Sequence, residues 1–230
     1  MKKIYPNSPL VEIVFEIRYP ADLSIKCNID KYANRIRSKF PIIIAHPELS
    51  AHLYEFSNNN PKTETVKVGV DRFSYHTSEY QGGFESFEKK ALQLVNEFIE
   101  VYKIGSLIRT GLRYINHIPI VKVDGCIPLE RYLNFGYKLP VTGSVPDRYE
   151  LLHTILVVKV GKGNLRIIIE YRENPDLVNS EILVVDFDYF LMGQLESSDV
   201  SRFIQQSHGH TKKIFEDLIT DDYRRVMESG

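Results

Sequence analysis

Apolar and polar residues alternate along residues 9–19, with Val11, Ile13, Phe15, Ile17 and Tyr19 on one side and Glu12, Val14, Glu16 and Arg18 on the other. A period of two predicts a β-strand with one face turned to a core. Residues 107–118 repeat the pattern, placing Arg109, Gly111, Arg113, Ile115 and His117 on one face. An unpaired carboxylate or guanidinium is costly to bury. The charged sides of both segments therefore predict either mutual pairing or a polar surface built on a sheet.

Helical periodicity takes over between and after these strands. Behind Asn28, a candidate N-cap, Ile29, Tyr32, Ala33, Ile36 and Phe40 fall at helical spacing until Pro41 stops the pattern. A longer helix is predicted from Phe84, Phe87, Ala91, Leu94, Val95, Phe98 and Tyr102, entered through Gly82 and Gly83 and closed by Gly105. Its counterpart near the C-terminus carries Val200, Phe203, Ile204, Thr211, Ile214, Phe215 and Leu218 on one face, with Ser197 or Ser198 as cap. Thr220 can then cap a short terminal helix.

Further strands are predicted over residues 50–57 and 64–77, joined by a polar turn at 58–62, and over 149–160, 164–172 and 181–190. Residues 129–135 read as a short helix. Strands joined by short turns favour antiparallel pairing, and helices with one apolar stripe favour one sheet face. The expected fold is α+β, a large mostly antiparallel sheet packed against two long helices. Residues 1–230 are expected to form one structural unit, and the element order suggests two pseudo-repeat halves, 1–105 and 106–230, alike in that order alone. Residues 119–128 are too apolar for a free tether, whereas Pro140, Gly143 and Pro146 mark 139–147 as a loop excursion.

Composition narrows the function classes. A formal net charge of -1 provides no overall basic field for nucleic acid. Cys27 and Cys126 are far apart and lack a C-x-x-C partner, so neither a disulfide framework nor a zinc site is expected. Pro6, Asn7, Ser8 and Pro9 interrupt what would be a signal-peptide core, and no stretch is long and apolar enough for a membrane span. The expected localisation is cytoplasmic.

Residues 9–18, residues 113–118 and a closing stretch over 211–225, with Phe215 ahead of Ile219 and Thr220, together resemble a sporadically distributed family of uncharacterised prokaryotic proteins. The resemblance spans nearly the whole chain. It implies a prokaryotic protein of one unit, and carries no assigned activity or catalytic residue.

The candidate ligand-binding residues are Glu16, Arg18, Arg113 and His117, with Glu12 and Arg109 beside them. If the two charged strands are neighbours, an Arg fork could hold a carboxylate or phosphate while a Glu or His handles a proton. The competing reading is cross-strand ion pairing on a solvated face. His208 and His210 are two apart in a predicted helix and point to different sides, so no metal is expected, and no cofactor motif is present. Gly161, Lys162 and Gly163 suit a tight hairpin turn rather than a phosphate loop. The expectation is a binding or protein-interaction protein, self-associating or held by a protein partner, without a catalytic motif. The alternative is an enzyme acting on a phosphate- or carboxylate-bearing small molecule or nucleic acid.

Overall fold

The computed structural model describes residues 5–46, 53–58, 63–78, 80, 83–135, 150–173 and 181–229. In chain order they form β1 (Leu10–Arg18), α1 (Ser24–Cys27), α2 (Ile29–Ile36), β2 (Ile42–Ala45), β3 (Tyr54–Ser57), β4 (Glu64–Val68), β5 (Arg72–Thr77) and α3 (Gly83–Tyr102). There follow β6 (Ser106–Ile120), β7 (His153–Val160), β8 (Gly163–Glu173), β9 (Glu181–Glu196), α4 (Val200–Leu218) and α5 (Asp221–Glu228). The fold is α+β. One open nine-stranded sheet runs in the order β2-β3-β4-β5-β1-β6-β9-β8-β7, antiparallel throughout.

Alternation decides which face is dry. Ile13, Phe15 and Ile17 of β1 lie beside Phe73 and Tyr75 of β5 and Leu112 and Tyr114 of β6, all buried. Phe187 and Tyr189 of β9 and Leu165 and Ile167 of β8 continue the same surface. Against it α3 buries Phe87, Ala91, Leu94, Val95 and Phe98, and α4 buries Val200, Phe203 and Ile204. Phe98 is the hub, its ring within 4.9–5.6 Å of those of Tyr19, Tyr32, Phe73 and Tyr102. All five helices send their buried residues into this single core. Among the described residues, the helices therefore share one side of the sheet. No described helix is long and apolar enough to cross a membrane.

Several local expectations are corrected. Residues 64–77 form two strands, because the chain reverses at Gly69, whose N–H donates to the Arg72 carbonyl at 2.8 Å and whose carbonyl accepts from the Tyr19 hydroxyl at 2.8 Å. The strand expected over 50–57 is described only as β3, and β2 precedes it in a run, Ile42, Ile43 and Ile44, that has no alternation to reveal it. Asn28 does not cap α2 with its side chain; its amide donates back to the Ser24 carbonyl at 2.9 Å.

At the end of α3 it is Lys103, φ 56°, that turns left-handed rather than Gly105. The Ile104 N–H then reaches the Ile99 carbonyl and closes the helix. Ser197–Asp199 form a 3-10 turn without a side-chain cap, and the short helix expected over 129–135 is a single 3-10 turn, Leu129–Arg131. Thr220 does cap α5, its hydroxyl accepting from the Tyr223 N–H at 3.1 Å. The loop expected at 139–147, the turn residues 59–62 and Gly82 lie outside the described residues.

Candidate functional site

Since β1 and β6 are neighbours at the centre of the sheet, their charged sides meet on the face away from the helices. In register Arg18 stands opposite Arg109, Glu16 opposite Gly111, and Val14 opposite Arg113. Two arginines side by side would repel each other without an acid between them, and Glu16 supplies it. One oxygen, Oε1, accepts from Arg18 Nε at 2.8 Å and from Arg109 Nη1 at 2.7 Å.

Gly111 makes that geometry possible. A Cβ there would lie 2.7 Å from Arg109 Nη1, so the missing side chain is the space into which the guanidinium folds. Arg109 also lies over the Phe190 ring, 4.9 Å from its centroid. Its other nitrogen donates to both oxygens of Asp188 at 3.0 and 2.9 Å. Arg166 of β8 donates to Asp188 as well, at 3.1 Å. Arg113 grips Asp186 as a fork, Nε to Oδ1 at 2.8 Å and Nη2 to Oδ2 at 2.6 Å, which raises its pKa further.

The four expected site residues do not converge. Glu16 and Arg18 touch each other, Arg113 turns to β9, and His117 lies beyond the end of β1. The His117 backbone N–H donates to the Pro9 carbonyl at 2.8 Å. Burial, and then the charge of Arg172, push the His117 ring below its ordinary value. Asp186 and Asp188 were not singled out as candidates by sequence reasoning. Their signal was available, since two acids spaced by two within a strand occupy one face, as Arg109 and Arg113 do.

A second polar string borders the first. Ser74 Oγ lies 3.0 Å from His76 Nε2, and His76 Nδ1 lies 3.0 Å from Glu12 Oε1. The hydrogen bond from His76, followed by the charges of His76, Arg113 and Lys67, holds the Glu12 carboxyl below its ordinary range despite desolvation. The order hydroxyl, imidazole, carboxylate is that of a nucleophile relay. Two facts oppose such chemistry here. Ser74 is 1% exposed, and β5 is paired on both sides, which commits its amides to ladders rather than to an oxyanion. Next to His76 a hollow of about 250 Å³ is lined by Glu12, Thr63, Thr65, Lys67, Thr77 and Ser78.

Among the described residues, no group of three or more His, Cys, Asp or Glu is placed to hold a metal ion. His208 stacks on Phe84, ring centroids 3.7 Å apart, and its Nδ1 lies 2.8 Å from the Tyr114 hydroxyl, whereas His210 leans on Tyr189. Cys27 and Cys126 are free thiols. No family model matches the chain, and no curated protein matches it.

Proposed function

We propose that the chain is a binding or protein-interaction protein whose docking surface is the helix-free face of the sheet. The observation that carries this reading is the commitment of its arginines. Arg109, Arg113 and Arg166 are all engaged by Asp186, Asp188 or Glu16, so the face presents paired charges rather than an open anion pocket. Between the pairs stand Val14, Ile115, Ile168 and Phe190, each half-buried. A broad face of satisfied polar pairs with interspersed apolar groups is the composition of a protein interface, with Arg and aromatic residues well suited to carry binding energy.

Charge reversal tests it. Arg166→Glu on the open face should abolish capture of native partners identified by mass spectrometry, while Lys89→Glu on the exposed side of α3 should leave them. Equal capture by both variants would contradict the reading.

A second reading rests on the hollow beside His76, where Lys67 and four hydroxyl side chains could hold a small phosphate- or carboxylate-bearing ligand. Titration calorimetry with inorganic phosphate should then show binding that Lys67→Ala removes. Absence of heat with the wild-type chain would dismiss phosphate as its ligand.

The fold supports treating the chain as one unit with two related halves. On each side of the β1–β6 pair, a central strand leads through helical turns to a meander that returns beside it and then to a long helix. The resemblance to the prokaryotic family, with cytoplasmic localisation, fits this reading and adds no chemistry to it.

A further inference from the structure

The sheet has two edges, and they differ. β2 is a four-residue strand, while β7 runs for eight residues in unbroken register with β8 and contains no proline. Natural edges are blunted by shortness, bulges, proline or inward charge, because an open row of amides invites another strand. Of these devices β7 has only Lys159 and His153, near its ends.

Its apolar side chains are exposed on both faces. Ile155 and Val157, on the open face, are 56% and 60% exposed. Leu156 and Val158, on the side that the helices cover elsewhere, are 38% and 40% exposed. Among the described residues, the helix layer therefore leaves room beside β7 on either face.

We infer that β7 is a dimerisation edge, pairing antiparallel with β7 of a second copy to continue the sheet across a two-fold axis. This is independent of the open-face reading. The Tyr171 N–H donates to the Leu152 carbonyl, one step before the His153–Glu170 pair. Even-numbered residues of β7 thus turn their amides to β8, and Ile155 and Val157 turn theirs outward.

Self-pairing must bring together residues on the same face, so the paired numbers sum to an even value. The register centred on Leu156 sets Leu156 against itself, Ile155 against Val157, and His153 against Lys159. It joins apolar to apolar along the middle and places Lys159 beside the strand pair that carries Glu170. Shifting the centre to Val157 would set Lys159 against Ile155. The second copy is therefore matched in pattern and face.

Sedimentation velocity of the full chain over a concentration series should show a dimer. Val157→Glu should weaken it by at least ~30-fold, since each copy would bring a carboxylate against Ile155, while circular dichroism stays unchanged. Should that variant fail to fold, cross-linking in a Cys27→Ser, Cys126→Ser background decides. Leu156→Cys places two sulfurs at a non-hydrogen-bonded pair, where Cα atoms lie ~4.5 Å apart, and should form an intermolecular disulfide. Thr154→Cys would stand ~13 Å from its own copy at the strand rise and should not. A monomer at every concentration, a dimer indifferent to Val157→Glu, or equal cross-linking at 154 and 156 would overturn the proposal.

Discussion

On the covered face of the sheet, Phe15, Phe73 and Phe98 are withdrawn from water by one another and by the helices above them. On the opposite face Asp186 and Asp188 are 3% and 6% exposed with no described helix over them. The first burial is apolar packing, stabilising by roughly 25 cal/mol for each Å² removed from water. The second is achieved by arginines laid across the carboxylates, each polar group answering the other's demand for a partner. A single alternating strand such as β1 serves both faces. Ile13, Phe15 and Ile17 join the core, and Glu16 and Arg18 join the ion-pair ladder.

Substitutions on the two faces should therefore fail in different ways. Phe98→Ala leaves a cavity at the ring cluster, with an expected loss of about 3–5 kcal/mol in urea unfolding. Asp188→Ala removes no comparable volume but deprives Arg109 and Arg166 of a shared acid. We expect about 2–3 kcal/mol, below the range for a fully buried pair because the Arg166 side chain is 40% exposed. Asp188→Asn should recover part of it. If Asp188→Ala proved neutral, the ladder would be surface decoration.

Gly111→Ala is a smaller intrusion. The new methyl displaces the far end of Arg109 rather than backbone, so the expected cost is about 1 kcal/mol, chiefly the lost bond to Glu16. It should vanish when Arg109 is already Ala.

The smallest effects are those of pH. His117 has a folded pKa below its ordinary 6.5, so the unfolded chain takes up the proton first. Stability is complete above pH 6.5 and falls as pH drops toward the folded value. Glu12 is also held below its ordinary 4.5. Its contribution is present above pH 4.5 and is lost as pH falls through the lower, folded value. His117→Gln should flatten the thermal stability curve just below pH 6.5, and Glu12→Gln should flatten it only in stronger acid. One shared response from both variants would contradict this division.

The covered face was largely legible in the sequence, because alternation in residues 9–19 and periodicity in 83–102 and 200–218 name the residues that pack. Alternation also placed Glu16, Arg18, Arg113 and His117 on the right face. It could not pair them. Whether Arg113 meets Glu16 or Asp186 depends on register with β9, a strand distant in sequence, and register is set by the whole sheet. The sequence predicts a strand over residues 181–190, yet the role of its two aspartates is set only by β6, which the register lays beside them. The reversal at Gly69 was hidden because Val68, Val70 and Phe73 look continuous on either side of it.

The central claim is that the arginines of the open face are committed within the chain. A double-mutant cycle in urea, with Arg113→Ala, Asp186→Ala and the double variant, measures that commitment. The account predicts a coupling of about 1–2 kcal/mol for this forked pair, in which Asp186 is buried while the Arg113 side chain is 40% exposed and partly screened by water. A coupling near zero, with Arg113→Ala as stable as the wild-type chain, would mean that the guanidinium is held ready for an external anion and would contradict it.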